Sequence, residues 1–183
     1  MNEIRWHGRG GQGAITASKI VAAAAFDNGY TGAVMIPTFG TERRGAPIFS
    51  SLKIAREKIY DLSPIEMPDV VVVLDHLLLA EVDVAKGLKK DGLIVLNTPK
   101  PVSAYDFGGV RLAVADVNAL SLEAGLPQGR VNSGIIGALC RAVDMVPFDS
   151  VLQQIEAEFD GKKPKANADA ARLTYENTTV GVA

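Results

Sequence analysis

The sequence predicts an α/β protein, a three-layer α/β/α, Rossmann-like arrangement around a mixed, mostly parallel sheet. Three observations carry that prediction. Strand-like and helix-like segments alternate along the 183 residues, which suit one layered core and a single domain over 1–183. The run "PDVVVVLD", residues 68–75, has four consecutive valines and reads as a strand buried on both faces. The stretch "GRGGQG", residues 8–13, puts four glycines between a strand and a helix, the setting of a dinucleotide-type turn.

Each element has its own signal. "EIRWHG" is a strand ending at Gly8, and "GQGAITASKIVAAAAFDNG" a helix of small residues stopped by Asn28-Gly29. "TGAVMIP" is a strand ended by Pro37, and "TFGTERRGAP" a polar loop. "IFSSLKIA" alternates as a strand, with "REK" expected to turn the chain into an antiparallel partner at "IYDL", making the sheet mixed. After the valine strand, residues 76–90 are expected to be wholly or partly helical. "GLIVLNT" and "VRLAVAD" are strands and "VNALSLEAGL" is a helix. "NSGIIGALCRAVDMV" is a helix capped by Asn132 or Ser133, and "FDSVLQQIEAEF" an amphipathic one. "GKKPKAN" is a basic loop, "ADAARLTYEN" the last helix, and the tail is expected to fray.

Composition excludes several functions. A net charge of −2 gives no basic field to attract nucleic acid. The longest apolar runs are far shorter than a membrane span, and the N-terminus reads as a strand rather than a signal peptide, so a cytoplasmic location is expected. One cysteine, Cys140, cannot hold an iron–sulfur cluster, and two histidines suggest no metal site. No catalytic triad, P-loop lysine or defensible acid–base pair of carboxylates is present.

Two loops remain. In the first, Gly8, Gly10, Gly11 and Gly13 let the backbone approach an anion, and the next helix offers free N–H groups and a partial positive charge. Arg9 and Gln12 inside it suit a phosphate. The ordinary alternative is a tight strand-to-helix turn that binds nothing. A nicotinamide dinucleotide would require an acidic residue at the end of the second strand, and "TGAVMIP" has none. In the second loop Glu42, Arg43 and Arg44 lie between Gly40 and Gly45. If the second strand ran beside the first, this loop would face the glycine turn and its arginines could pair with phosphates. A solvated charged turn is the alternative. Asn132 caps a helix or holds a loop near the site. Asp75 is at the sheet edge expected for function and could equally cap the next helix, and Lys162, Lys163 and Lys165 read as a surface patch.

"HGRGGQGAITASKIVAAAAF", "FGTERRGAPIFSSLKI", "PDVVVVLD", "GLIVLNT" and "VNSGIIGALCRAV", in this order over nearly the whole chain, resemble the gamma subunit of pyruvate:ferredoxin oxidoreductases and their 2-oxoacid relatives. The resemblance implies a subunit of a multi-subunit, cytoplasmic enzyme of anaerobic metabolism. Such an enzyme converts a 2-oxoacid and coenzyme A to an acyl-CoA and carbon dioxide and passes electrons to ferredoxin. Thiamine diphosphate and iron–sulfur clusters would sit in alpha, beta and delta-type partner subunits. This chain would contribute to coenzyme A binding through Gly8, Arg9, Gly10, Gly11, Gln12 and Gly13, with Glu42, Arg43, Arg44, Gly45 and Asn132 nearby, and would hold no catalytic residue or metal. "FGTERRGAP" leans towards the pyruvate and branched-chain members rather than the 2-oxoglutarate ones, although Thr41 stands where many relatives have proline. A stand-alone nucleotide-binding protein and a ligand-free scaffold remain as alternatives.

Overall fold

In the computed structural model, residues 1–37 and 45–183 are described. The chain runs β1 (Asn2–Arg9), α1 (Ala14–Asp27), β2 (Gly32–Pro37), β3 (Pro47–Ala55), β4 (Val70–Val73), β5 (Leu93–Asn97), β6 (Arg111–Ala115), α2 (Val117–Glu123), α3 (Asn132–Ala142), α4 (Phe148–Glu158), α5 (Pro164–Asn177) and β7 (Thr179–Val182). One seven-stranded sheet has the order β2-β3-β1-β4-β5-β6-β7. The pairs β1–β4, β4–β5 and β5–β6 are parallel; β1–β3, β2–β3 and β6–β7 are antiparallel. Five strands therefore point one way and two, β3 and β7, the other.

The period-2 alternation of each strand divides the core. Ile4, Trp6, Leu52, Val72, Leu74 and Val95 face the α-helical layer. Val71, Val73, Ile94, Leu96 and Leu112 face the opposite layer. That layer is built from 3-10 turns and loops, including a 3-10 helix at His76–Ala80, where the sequence predicts full or partial helix. The helical layer is close-packed because small residues line it. A Cβ on Gly137 of α3 would overlap the Ala171 carbonyl oxygen of α5.

Four local expectations are corrected. "IYDL" is not a strand; the sheet is mixed because the β2–β3 hairpin folds back beside β1 and β7 returns beside β6. The segment after β3 instead lies over the sheet. Lys53, 1% exposed, donates to the Asp61 carboxylate at 2.6 Å, and the Ile65 N–H donates to Ser51 Oγ. The tail does not fray, since Thr179–Val182 pairs with β6. Pro164 starts α5, fitting proline's preference for a first helical turn, so the basic loop is shorter than expected. Neither Asn132 nor Ser133 caps α3: the cap position is Val131, and both residues lie inside the first turn.

On the second face Arg5 and His7 are buried side by side. Arg5 Nε donates to His7 Nε2 at 3.0 Å, and its Nη2 donates to the carbonyls of Val84 and Lys86. His7 is thus an acceptor at Nε2 and neutral. Burial, and then the charge of Arg5, push its pKa down from the ordinary 6.5 to about 4. The unfolded chain therefore binds a proton more readily than the folded one between those values. Stability from this site is complete above pH 6.5 and falls on acidification towards pH 4, by on the order of 2–3 kcal/mol at pH 4.5. Urea unfolding at pH 7 and pH 4.5 should give that difference for the native chain. His7→Gln, which keeps an acceptor but cannot titrate, should flatten it. An equal acid loss in both proteins would assign the effect elsewhere.

Candidate functional site

The glycine turn joins the end of β1 to α1 at the carboxyl edge of the parallel strands, where ligands of open α/β sheets bind. β1 extends to Arg9 and α1 begins at Ala14, so the turn proper is Gly10–Gly13. Gly11 (φ 95°) and Gly13 (φ 82°) are left-handed, a region that side chains rarely adopt. Gly13 is the cap of α1, and no side chain bonds the first N–H groups of the helix, which has no acidic residue in its first turn. Ala17 N–H donates to the Gly13 carbonyl, which leaves the N–H groups of Ala14, Ile15 and Thr16 as the donors of a helix start.

Those three residues, with Gly10, Gly11 and Gly13, line a cleft of about 820 Å³. Its opposite wall is Arg130, Asn132, Glu158, Phe159 and Lys162, from the start of α3 and the end of α4; Ile48 of β3 closes one side. Asn132 is 7% exposed, reaches the turn closely enough that a Cβ on Gly13 would lie 2.8 Å from its Nδ2, and makes no side-chain hydrogen bond to a described residue. A second hollow of about 300 Å³ shares Arg130, Asn132, Phe159 and Lys162 with the first and continues to Leu126 and Pro127.

Arg9 and Gln12 are turned to a different task. The Gln12 side-chain oxygen accepts from the Arg9 N–H at 2.7 Å, closing the turn on itself. The Arg9 guanidinium reaches Asp75 at 2.9 Å, Glu81 at 2.5 Å and the Gly45 carbonyl at 3.2 Å. The side-chain hydrogen bond to Glu81, then that to Asp75, raise the Arg9 pKa above the ordinary guanidinium value. Burial acts to raise the Asp75 pKa, but the Leu77 N–H and Arg9 outweigh it and hold the carboxyl below its usual range. Asp75 thus caps the 3-10 helix after β4, one of the two roles expected of it, and also anchors the turn through Arg9. Neither Arg9 nor Gln12 lines the cleft, while the backbone of the turn does.

Glu42, Arg43 and Arg44 lie outside the described residues. β1 lies between β3 and β4 and does not touch β2, so the assumed adjacency of the first two strands does not hold. The hairpin nevertheless brings the end of the polar loop to the turn: Gly10 N–H donates to the Ala46 carbonyl at 3.0 Å and Gly45 N–H to the Gly10 carbonyl at 3.2 Å. Gly8 sits beneath, with Ala14, Gln12 and Leu74 at ordinary contact distance from where its Cβ would be.

Arg130, Phe159 and Lys162 belong to no motif. Arg130 has no pattern around it, and Lys162 reads as surface; only the fold brings both to one cleft. Among the described residues no group of three His, Cys, Asp or Glu could hold a metal ion, and burial pushes the Cys140 thiol up to about 12, leaving it unreactive. No helix among the described residues is long and apolar enough to cross a membrane.

An α/β fold with a cleft beside a helix start, at the carboxyl edge of its parallel strands, is the class that this geometry defines. Residues 3–177 match the model of the family described as pyruvate ferredoxin/flavodoxin oxidoreductase, and this chain belongs to that family. It is 44% identical to the pyruvate/ketoisovalerate oxidoreductases common subunit gamma of Pyrococcus abyssi, over 98% of each chain. It is 42% identical to the pyruvate synthase subunit PorC of Methanothermobacter marburgensis, over 96% of this chain and 97% of that one. The crystal structure of the pyruvate oxidoreductase subunit PORC of Thermotoga maritima superposes with a TM-score of 0.84 at 34% identity, over 98% of each chain. A 2-oxoglutarate:ferredoxin oxidoreductase of Magnetococcus marinus, solved with 2-oxoglutarate, coenzyme A and succinyl-CoA, shares the fold at TM-score 0.76 and 20% identity, over 96% of this chain and 31% of that one.

Proposed function

We propose that this chain is the gamma subunit of a pyruvate:ferredoxin oxidoreductase complex and that its cleft holds the coenzyme A that accepts the acyl group. The observation that carries the reading is the cleft itself: unsatisfied N–H groups of α1, a glycine turn no Cβ obstructs, and a buried amide, Asn132, facing them. This is the chemistry of diphosphate binding, and nothing beside it among the described residues could break a carbon–carbon bond. Thiamine diphosphate and the clusters therefore belong to alpha, beta and delta-type partners, which receive the 2-oxoacid and pass electrons to ferredoxin. The relatives whose names cover both pyruvate and ketoisovalerate support a subunit that serves the thiol acceptor rather than selecting the oxoacid.

The chain contributes binding and closure. The Arg9–Asp75–Glu81 network fixes the turn, so that its backbone is presented rather than rearranged when the anion arrives. A complex reconstituted with its partner subunits should oxidise pyruvate only when coenzyme A is supplied, and the lone chain should do nothing. Gly11→Trp in that complex should raise the KM for coenzyme A by about tenfold or more, a loss on the scale of one or two charge-assisted hydrogen bonds, and leave the KM for pyruvate unchanged. Equal coenzyme A affinity in both complexes would leave a scaffold role only. Pyruvate decarboxylation by the lone chain with thiamine diphosphate would overturn the assignment.

A further inference from the structure

The far wall of the cleft is assembled from two elements distant in sequence, the start of α3 and the turn from α4 to α5. No backbone hydrogen bond between described residues joins them. The turn is also held in an unfavourable shape. Lys163, just before α5, has φ 61° and is the one non-glycine residue of positive φ among the described residues. A side chain persists in that region only where its surroundings fix it.

Asn167 supplies the fixing. It is 4% exposed, among the buried alanines Ala168, Ala170 and Ala171 of α5. Its Nδ2 donates to the carbonyls of Lys163 at 3.0 Å and Lys162 at 3.3 Å. Its Oδ1 accepts from Ser133 Oγ at 2.5 Å, and Ser133, fully buried, follows Asn132 in the first turn of α3. Carbonyls only accept, so the amide nitrogen must face the turn and its oxygen must face α3. One side chain therefore holds both halves of the wall. Asn167 borders the smaller hollow, but both its N–H bonds are taken up inside the protein, so it acts through its neighbours.

Packing alone does not call for an amide here. Asparagine is a poor helix former, and leucine, with the same branched shape, would bring no polar atoms to satisfy. What the amide adds is direction, with donors on one side and an acceptor on the other, which fixes one element against another. Resting on the proposed coenzyme A site, we propose that Asn167 is a positioning residue of that site. It locks the α4–α5 turn to the start of α3 and so sets how far Lys162 and Asn132 stand from the glycine turn.

The test is steady-state kinetics of the complex reconstituted with its partner subunits. Asn167→Leu should raise the KM for coenzyme A by about tenfold, as a misplaced binding wall does, and Ser133→Ala, the milder change, by about threefold. The KM for pyruvate and kcat at saturating coenzyme A should stay within about twofold of native, since neither residue touches reacting atoms. The double variant should be no worse than Asn167→Leu alone, because the two residues form one link. A lowered thermal midpoint with unchanged KM for coenzyme A in both single variants would make Asn167 structural only. Effects that multiply in the double variant would mean that the turn and α3 are held separately. Either result would overturn this inference and leave the coenzyme A site standing. No dependence of the native complex on coenzyme A would overturn both.

Discussion

Gly13→Ala is expected to lower the affinity of the complex for coenzyme A by about 10- to 100-fold while the chain still folds. Two costs add at this position. The backbone stands at φ 82°, where an alanine is disfavoured by roughly 1 kcal/mol. The new Cβ would lie 2.8 Å from Asn132 Nδ2 and 3.0 Å from its Cβ and Cγ. Moving Asn132 aside, or shifting the start of α3, costs about a further 1–3 kcal/mol. A functional loss is expected besides the stability loss, because the atom displaced first is the amide that lines the cleft, and because Gly13 caps the helix whose N–H groups are proposed to meet the anion. Asn132→Ala combined with Gly13→Ala separates the causes. If crowding is the mechanism, the double variant recovers part of the thermal stability, since the contact with the Cβ of residue 132 at 3.0 Å and the left-handed backbone remain, but not coenzyme A affinity. If both are recovered, the amide has no part in binding. Calorimetry on the complex and thermal unfolding of the chain read the two quantities independently.

The sequence makes legible what local patterns encode. Gly10, Gly11 and Gly13 stand between a strand and a helix as expected, with Gly8 still in the strand, because the requirement for left-handed backbone and a bare helix start is written in a few adjacent residues. The valine run is the central strand β4, since a strand covered on both faces has no polar period to disguise it. The order of strands is less legible. Nothing local says that β3 inserts between β2 and β1; that depends on the β1–β3 register Arg9↔Pro47 and the hairpin register Pro37↔Ser50. The roles of Arg9 and Asp75 are half legible. A basic residue within a phosphate-type turn suggests a ligand, but Asp75 and Glu81, distant in sequence, compete for it. Arg130 and Lys162 carry no motif at all. Their meaning comes from α3 and α4, one starting and the other ending at the same cleft, a tertiary fact that periodicity does not contain.

The same helix that presents Asn132 must sit very close to the sheet and to its neighbours, and glycine makes that possible. Gly137→Ala is therefore expected to destabilise the chain by about 3 kcal/mol or more, lowering the thermal midpoint by roughly 6–12 °C. The added Cβ would overlap the Ala171 carbonyl oxygen and fall 2.9 Å from its carbon, both backbone atoms of α5 that no rotamer change can clear. Helices α3 and α5 would have to move apart, loosening contacts around Ala168, Ile135 and Leu139, all buried. Because the obstacle is backbone, Ala171→Gly should not rescue the variant, whereas it would if side-chain crowding were the cause. Gly134→Ala provides the contrast. Its Cβ would collide with Val117 Cγ1, a side-chain atom, so Val117→Ala should restore part of the loss there. Unfolding of the four single variants and two double variants in denaturant distinguishes these cases. A Gly137→Ala chain as stable as the native one would mean that α3 and α5 are not packed backbone to backbone, and with it would go the close seating that carries Asn132 to the glycine turn.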